Sequence, residues 1–436
     1  MLDYRFILEH LPEVKQNIAH RYMKADADAV VALFNQKTGL TTTLQSLQRQ
    51  RNANAAAMKA TGDAAERNRL MEEGKKLKTD IAAAEETLAR VEKDLAAEGR
   101  RIPNMAHPAA PIGKEDKDNL EVKRVGSPRT FDFEPLDHVK LGQDLDIIDF
   151  DAGTKVSGTK FYYLKNEGVF LELGLIRYAL DILTQKGFTP YITPDIAKEE
   201  ILEGIGFNPR GLESNVYTLE AEGTCLVGTA EITLGGYYAN MLLPKEQLPL
   251  RMAGLSHCFR REAGAAGQFS KGLYRVHQFT KVEMFLYCLP EESDRLHEEL
   301  RLVEEEIFAG LEIPFRVVDT CTGDLGAPAY RKWDLEAWMP GRAQPPSRSG
   351  GEWGEVTSTS NCTDYQARRL NIRYKDESGK NRFVHMLNGT ALAVSRALIA
   401  VLENFQQADG SVRLPQALVP YCGFEGISRG SKPASK

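Results

Sequence analysis

The segment that most constrains the fold runs from about residue 28 to residue 100, where apolar residues recur at helical spacing and proline is absent. The recurring positions are Val30, Leu33, Leu40, Leu44, Leu47 and Met58, then, after Thr61-Gly62-Asp63, Leu70, Leu77, Ile81, Leu88, Val91 and Leu95. Such steps predict two helices that fold back at Gly62 as a long antiparallel coiled-coil arm. About 30 residues per helix, at about 1.5 Å each, give an arm on the order of 45 Å long. Gly39 and the following Thr41-Thr42-Thr43 run weaken the first helix, so we expect a bend or a frayed seam there.

The pattern of the arm is compatible with two uses. A narrow hairpin buries little area, so it must either dock, as a dimerisation coiled coil does, or reach for a partner. Basic residues cluster toward its tip, at Arg49, Arg51, Lys59, Arg67, Arg69, Lys75, Lys76 and Lys78. Interleaved acids such as Glu66, Glu72 and Glu73 partly offset their charge. For a nucleic-acid partner, this mixture favours recognition of backbone and shape over recognition of bases.

Composition places the chain among soluble globular proteins, with 27% charged and 42% hydrophobic residues in 436. No apolar run approaches the roughly 20 residues of a membrane helix, and the start Met1-Leu2-Asp3-Tyr4-Arg5 shows no signal or transit pattern. The six cysteines form no Cys-x-x-Cys and have no zinc-ligand spacing. We therefore expect thiols in a reducing compartment and a cytoplasmic protein without a membrane partner. The net charge of −6 does not exclude a nucleic-acid partner, because local basic patches contact phosphates.

Two segments in the second half of the chain combine opposed charges with an aromatic residue. Phe259-Arg260-Arg261-Glu262-Ala263-Gly264 and Val276-His277-Gln278-Phe279-Thr280-Lys281-Val282-Glu283-Met284-Phe285 are predicted to form two short strands joined by a glycine-rich loop. Period-two alternation sends one set of side chains to a polar face: Arg275, His277, Phe279, Lys281 and Glu283. The same parity puts Arg260 and Glu262 together on the first strand. Such a surface suits an adenine ring, phosphates and an ammonium group.

Further motifs follow a consistent order along the chain. They are Gly187 to Pro194, Thr229-Ala230-Glu231, Gly354-Glu355-Val356-Thr357-Ser358-Thr359-Ser360-Asn361 and Leu387-Asn388-Gly389-Thr390-Ala391-Leu392-Ala393-Val394-Ser395-Arg396. No Gly-x-Gly-x-x-Gly or P-loop signature appears. Together with the Arg260 to Glu283 region, this set resembles the class II aminoacyl-tRNA synthetases, and most closely the seryl-tRNA synthetase family. The resemblance implies an α+β fold, in which a class II catalytic domain with an antiparallel sheet flanked by helices follows the N-terminal coiled-coil arm.

Proline positions and the resemblance together predict the domain organisation. We expect an N-terminal tRNA-binding domain over residues 1–104 that contains the arm, and a linker over 105–135 that follows Pro103. The class II catalytic domain is expected over 136–427, and a disordered tail over 428–436. The run Ala343-Gln344-Pro345-Pro346-Ser347-Arg348-Ser349 is predicted to be a mobile loop.

The resemblance implies a ligase that activates L-serine with ATP and Mg²⁺, releases pyrophosphate and transfers serine to the 3′-hydroxyl of tRNA(Ser), with tRNA(Sec) as an open second acceptor. The ATP-binding positions it implies are Arg260, Arg261, Glu262, Val276, His277, Gln278, Phe279, Glu355, Val356, Thr357, Ser358 and Arg396. Glu355 and Ser358 would also hold Mg²⁺. Arg260 would bridge the serine carboxylate and the α-phosphate, and Arg396 would hold the γ-phosphate. No acid lies three or four residues from Arg396, which suggests an unpaired arginine in need of an anion.

The same resemblance implies a pocket that selects serine through its hydroxyl. The residues it points to are Thr229, Ala230, Glu231, Arg260, Glu283, Asn388 and Thr390, with Arg260, Glu262, Glu283 and Arg396 as the catalytic group. Glu283 and Thr390 would meet the hydroxyl, and Glu231 and Thr229 the ammonium. Phe279 would stack on adenine, and Glu262 would take its exocyclic amine. The loop from Ala263 to Gly272, with Lys271, would admit the tRNA end, and the basic residues of the arm would grip the tRNA.

Two competing functions remain open from sequence alone. A family paralogue could load a carrier protein, although relatives of that kind lose the long arm. A non-catalytic scaffold could retain the nucleotide fold, although Arg260, Glu262, Glu283 and Arg396 are all intact. The segment Gly187 to Pro194 resembles motif 1 of the class II family, which builds the subunit interface. The resemblance therefore implies a homodimer in which one subunit grips the tRNA that the other charges.

Overall fold

The computed structural model describes residues 1–208, 214–219, 221–263, 271–342 and 350–430. Contacts divide the chain into two compact units, Met1–Met105 and Ala106–Lys436. Within the described ranges, no helix is both long and apolar enough to cross a bilayer. The predicted mobile loop at 343–349, most of the glycine-rich loop and the end of the predicted tail lie outside these ranges.

The first unit is helical and contains the long arm. Its helices are α1 (Tyr4–Glu9), α2 (Leu11–His20), α3 (Ala27–Ala60) and α4 (Ala64–Arg101). Asp26 and Asp63 cap the N-termini of α3 and α4, and the turn between them falls at the predicted break. The predicted coiled-coil arm is therefore confirmed. The predicted fraying near Gly39 is wrong, because α3 continues through it. The hydroxyls of Thr41–Thr43 donate to carbonyls four residues back, a contact that often bends helices, and the predicted bend stays a prediction.

The second unit contains one main sheet of eight strands and smaller sheets of two or three strands. Its strands are β1 (Leu120–Val125), β2 (Ile148–Asp149), β3 (Tyr163–Leu164), β4 (Thr189–Ile192), β5 (Ile196–Lys198), β6 (Thr218–Leu219), β7 (Thr224–Leu226), β8 (Leu242–Leu243), β9 (Leu250–Phe259), β10 (Gln278–Cys288), β11 (Phe315–Asp319), β12 (Arg331–Met339), β13 (Glu352–Asn361), β14 (Arg373–Lys375), β15 (Asn381–Phe383), β16 (His385–Ala393), β17 (Val412–Arg413) and β18 (Gly426–Ile427). Its helices are α5 (His138–Asp144), α6 (Phe150–Ser157), α7 (Glu167–Gln185), α8 (Glu199–Ile205), α9 (Ala230–Gly236), α10 (Ser293–Gly310), α11 (Tyr365–Leu370), α12 (Val394–Asn404) and α13 (Val419–Cys422).

The order of the main sheet is β1-β11-β12-β13-β16-β10-β9-β4, and every neighbouring pair is antiparallel except β9 with β4. An antiparallel sheet with helices packed against it confirms the predicted fold class. Residues 120–125, which the sequence analysis assigned to the linker, form the edge strand β1 of this sheet.

The central strand β10 has a different hydrophobic cluster on each face. Val282, Met284 and Leu286 join helices α7, α10 and α12 in one cluster. Phe285 and Tyr287 join α8, α9 and α11 in the other. Successive side chains of a strand point to opposite faces, so the face that carries Phe285 also carries Lys281 and Glu283. Apolar packing along β10 thereby fixes the position of two buried charges.

The two strands around the glycine-rich loop differ from their predicted extent. Strands β9 and β10 have 10 and 11 residues, so they are not short. Arg260 and Glu262 lie beyond the end of β9, and Arg275 and His277 lie before the start of β10. The predicted strand parity at these four residues is therefore wrong. Glu262 has a backbone φ of 50°, which an extended strand does not allow.

Candidate active site

One cavity of the second unit lies where the end of β9, the start of β10, strands β13 and β16, and the start of α12 meet. It is lined by Arg260, Glu262, Tyr274, Arg275, Val276, Phe279, Lys281, Glu355, Val356, Thr357, Thr390, Ala393, Ser395 and Arg396. Residues from three separate sequence motifs thus share one space. The cavity combines arginines, carboxylates and an aromatic ring, as the resemblance implied.

Arg260 and Phe279 lie together at the end of the cavity formed by β9 and β10. The guanidinium carbon of Arg260 is 5.2 Å from the centre of the Phe279 ring, and its Nε donates to the carbonyl of Gly228 at 3.3 Å. The backbone N–H of Arg260 donates to the carbonyl of His277 at 2.9 Å, which continues the pairing of the two strands. This pairing of the two segments places a cation beside an aromatic face.

Arg396, near the start of α12, also lines the cavity and is already paired. Its Nη1 donates to the backbone carbonyl of Glu355 at 2.9 Å and lies 3.2 Å from the Glu355 carboxylate. Its guanidinium carbon is 4.8 Å from the centre of the Tyr274 ring. The expectation of an unpaired arginine is therefore wrong, because the neutralising acid comes from β13 and not from the same helix. Burial alone would lower the pKa of Arg396, but Glu355 raises it above its ordinary value.

Glu262 is held by the segment that follows the glycine-rich loop. Its carboxylate accepts a hydrogen bond from Arg275 at 3.0 Å. The adjacent backbone N–H groups of Arg261 and Ala263 donate to Asn215, each at 2.9 Å. These bonds hold the segment from Arg261 to Ala263 against Asn215.

Four of the predicted serine-binding residues form a hydrogen-bonded polar group next to the cavity: Thr229, Glu231, Glu283 and Asn388. Thr229 caps α9, accepts from the backbone N–H of Glu231 at 3.1 Å and donates to the Glu283 carboxylate at 3.3 Å. Asn388 and Gln366 donate to the other carboxylate, Glu231, at 3.1 and 2.8 Å. Burial raises the pKa of Glu231 to about 7, and the negative charge of Glu283 adds to the shift.

Gly254 of β9 explains how α9 approaches the sheet closely enough to form this group. Gly254 is the cross-strand partner of Glu283. A Cβ at this position would lie 2.8 Å from both Ala230 Cβ and Leu234 Cδ1 of α9. Only glycine therefore lets the N-terminus of α9 reach Glu283. The sequence analysis did not identify Gly254.

Lys281 is a site residue that sequence reasoning placed on the correct face but did not include among the binding residues. Its ammonium pairs with the Glu283 carboxylate and donates to the hydroxyl of Thr390 at 3.3 Å. The alternating pattern of β10 was a sufficient signal, because it put Lys281 between Phe279 and Glu283. Tyr274 and Arg275 also line the cavity. Arg275 was placed on the polar face by the same alternation, whereas Tyr274 carried no comparable signal.

Several other candidates lie around the cavity without lining it. Ala230 is buried in α9, Ser358 lies on β13, and the Nδ1 of His277 is 2.8 Å from the carbonyl oxygen of Arg260. Gln278 lines a separate cavity with Phe161 and His257.

The predicted tRNA-binding residues fall into two groups. All eight basic residues of the arm are exposed. Arg69 pairs with Glu66 at 2.7 Å and Lys75 with Glu72 at 2.6 Å, each within one helix. The segment from residue 49 to residue 78 contains eight basic and four acidic residues, so its net charge is positive although that of the whole chain is negative. Lys271 belongs to the second unit and pairs with Asp137.

Residues at the β12 and β13 end of the cavity provide oxygen donors that suit Mg²⁺. Ser358 is the cross-strand partner of Asp334, whose Oδ1 is buried without a hydrogen-bond partner. Burial would raise the pKa of Glu355, but Arg396, Lys332 and Arg260 hold it below its ordinary value, so this carboxylate is ionised at neutral pH. Among the described residues, no group of three or more His, Cys, Asp or Glu side chains could enclose a metal. Such a donor set fits an ion that is held largely by phosphates.

The fold and the cavity define the second unit as a class II aminoacyl-tRNA synthetase core. The family model described as "tRNA synthetase class II core domain (G, H, P, S and T)" matches residues 217–405, and "Seryl-tRNA synthetase N-terminal domain" matches residues 1–106. The serine–tRNA ligase of Treponema denticola is 70% identical over 427 residues, which cover 98% of this chain and all of that protein.

Solved structures agree with these matches. The seryl-tRNA synthetase of Pyrococcus horikoshii complexed with ATP has a TM-score of 0.90 and 39% identity, covering 99% of this chain and 100% of that one. The cytoplasmic serine–tRNA ligase of Naegleria fowleri in complex with AMP has a TM-score of 0.86 and 28% identity, covering 99% of each chain. The chain belongs to the seryl-tRNA synthetase family, a family of aminoacyl-tRNA ligases.

The raised pKa of Glu231 predicts how Glu231→Gln changes stability with pH. A folded-state pKa of about 7 means that the folded protein binds the proton more tightly than the unfolded chain, so Glu231 destabilises the fold as pH rises from about 4.5 to about 7. We expect Glu231→Gln to gain stability relative to the unsubstituted protein between pH 5 and pH 8, on the order of 1–3 kcal/mol, since one pKa unit is about 1.4 kcal/mol.

Urea unfolding of Glu231→Gln and of the unsubstituted protein, at about pH 5 and about pH 8, measures this difference in stability. Glu377→Gln is the control, because Glu377 is exposed. A stability difference that does not change with pH would show that Glu231 titrates as an ordinary carboxyl.

Proposed function

We propose that the chain attaches L-serine to tRNA in two steps within the cavity between Arg260 and Arg396. In the first step, a serine carboxylate oxygen forms a bond to the α-phosphorus of ATP while the bond to the bridging oxygen breaks and pyrophosphate leaves. In the second step, the 3′-hydroxyl of the terminal adenosine attacks the carbonyl carbon and AMP leaves. The observation that carries the proposal is that Arg260 and Arg396 line one cavity with Lys281 and Thr390, and that Lys281 pairs with the buried carboxylate of Glu283.

The first step brings two anions together, so cations contribute most to it. Arg260 is assigned to the serine carboxylate and the α-phosphate, because a planar guanidinium can hold both. Phe279 beside it offers a ring face for adenine, and Glu262 is assigned to the exocyclic amine. Arg396 is assigned to the γ-phosphate, for which it would exchange its present contact with Glu355.

Serine recognition is assigned to the buried polar group around α9. Glu231, together with the hydroxyl of Thr229, would receive the ammonium group. Glu283 and Thr390 would meet the side-chain hydroxyl, and Asn388 orients Glu231 by donating to it at 3.1 Å. An amino acid without a hydroxyl would leave these groups unpaired, which is the basis of strong rejection.

Glu355 and Ser358 are the residues assigned to Mg²⁺, which would neutralise phosphate charge when bound. Arg261, Val276, His277, Gln278, Val356 and Thr357 complete the proposed nucleotide site. We assign the exposed basic residues of the arm, and Lys271, to the tRNA backbone, with tRNA(Ser) as the acceptor and tRNA(Sec) as a further candidate. Six buried cysteines suit a reducing compartment, so the cytoplasm is the proposed location.

A homodimer is proposed because apolar side chains of the second unit are exposed on adjoining elements. Val169, Phe170 and Leu173 of α7 are exposed, and Ile192 of β4 is 87% exposed. Strand β4 is an edge strand of the main sheet, next to which α7 packs. A second copy of this chain would cover such a surface.

Amino-acid-dependent ATP–pyrophosphate exchange without tRNA tests the first step. We expect exchange with serine and a loss of about 10²–10³-fold in Arg260→Ala, because one preorganised donor to the reacting group is worth about that much. Arg382→Ala, which removes an exposed arginine paired with Asp376, is the control. Exchange with no amino acid would overturn the proposal and favour the scaffold alternative.

Aminoacylation kinetics test the assignment of the arm. The triple variant Lys75→Ala, Lys76→Ala, Lys78→Ala should raise the KM for tRNA about tenfold and lower the salt dependence of binding, with serine-dependent exchange unchanged, because it removes only phosphate contacts. The control triple variant Lys198→Ala, Lys375→Ala, Lys380→Ala removes exposed lysines of the second unit. Equal KM values in the two variants would contradict the assignment.

Sedimentation measures the proposed dimer. The unsubstituted protein should sediment at twice the chain mass of 48.6 kDa, and Leu173→Asp with Ile192→Asp should sediment as the single chain, because buried unpaired carboxylates oppose association. Ile112→Asp alters an apolar residue that is exposed elsewhere and should leave the mass unchanged. A doubly substituted protein that keeps the dimer mass would exclude this surface as the interface.

A further inference from the structure

Lys281 is a buried charge in the serine-binding wall to which the proposed reaction gives no direct role. Its residue exposure is 5%, and that of Glu283 is 1%. Both side chains lie on the same face of β10, two residues apart, and their charged ends are in contact. Burying a lysine is costly unless its charge is paired. The presence of this buried ion pair therefore calls for a functional explanation.

The contacts of Lys281 determine which hydrogen bonds remain available to a ligand. An ammonium group only donates, so the hydroxyl oxygen of Thr390 accepts from Lys281. The hydroxyl proton of Thr390 is then free to be donated elsewhere. On Glu283, Oε2 receives both Lys281 and Thr229. Within the part of the chain that the structure describes, Oε1 of Glu283 has no such donor, and an ionised carboxylate can only accept.

From this arrangement, we propose that Lys281 is a specificity-determining residue that makes the pocket select a side-chain hydroxyl. Lys281 orients the Thr390 hydroxyl as a donor and keeps the Glu283 carboxylate as an acceptor. The side chain of the bound amino acid must therefore accept a hydrogen bond from Thr390 and donate one to Glu283 through the same atom. A hydroxyl does both, a thiol does so weakly, and a methyl group does neither. The inference rests on the proposed function, because it concerns how serine is chosen at that same site.

Charge around Glu283 supports the need for the lysine. The ionisable groups that interact with this carboxylate are Glu231 of α9, Cys258 of β9, Glu304 of α10 and its contact partner Lys281. Glu231 and Glu304 are further acids, and Lys281 is the cation in direct contact. Lys281 therefore offsets the negative charge of Glu283 within a group of acids.

Exchange kinetics of Lys281→Met with serine, alanine and cysteine test the proposal. We expect kcat/KM for serine to fall about 10²-fold or more, and the preference for serine over alanine to fall at least tenfold, because unpaired buried polar groups no longer penalise alanine. The KM for ATP should stay within about twofold.

Two comparisons separate a specificity role from a structural one. Lys281→Arg retains a donor-only cation and should restore most of the preference for serine, whereas Lys140→Met, which removes an exposed lysine, should leave the preference unchanged. Lys281→Gln replaces Lys281→Met if the latter does not fold. An unchanged serine-to-alanine ratio in a folded Lys281 variant would overturn the inference. Absence of serine-dependent exchange in the unsubstituted protein would instead overturn the proposed function.

Discussion

The position of β10 between β9 and β16 is the constraint on which the site depends. Backbone pairing on both sides fixes the strand, and a different hydrophobic cluster covers each face. Apolar residues such as Met284 and Phe285 therefore determine where Lys281 and Glu283 point. A shift of one residue in the pairing would send both charges into the opposite cluster, at a large desolvation cost. The geometry of the polar site is thus set by hydrophobic packing a few residues away along the same strand.

Periodicity predicted the parts of the structure that local sequence controls. The arm follows from its apolar spacing and from capping residues such as Asp63, and the polar face of β10 follows from alternation through Lys281 and Glu283. The alternation fails at Arg260, Glu262 and His277, because the chain there has left the sheet and its conformation depends on contacts with Asn215 and Arg275. No period in the sequence encodes such contacts between separate segments.

Tertiary contacts also explain why the pairing of Arg396 and the role of Gly254 were not found. Within one turn of the helix, Arg396 has no acidic neighbour, whereas its partner Glu355 comes from a strand some forty residues earlier. Gly254 looks like an ordinary strand glycine until α9 is placed against it, and only then does the cost of a Cβ become clear. Both features become visible only when the positions of the strands and helices in the fold are known. Residues that act through a neighbouring element are therefore the ones that a single sequence conceals.

Most of the cations that line the cavity are paired with acids. Arg396 pairs with Glu355, Arg275 with Glu262 and Lys281 with Glu283, whereas Arg260 contacts the Gly228 carbonyl and the Phe279 ring. A triphosphate would therefore compete with carboxylates for Arg396, but not for Arg260. The ion pairs lower the cost of burying these cations, because an unpaired buried charge would destabilise the fold. Lys281 differs from Arg396, since Lys281 touches Thr390 as well as Glu283 and is enclosed by strand packing. A guanidinium at the cavity edge can exchange partners during the reaction, whereas the enclosed ammonium keeps its partners and so suits selection of the amino acid more than chemistry on the phosphates.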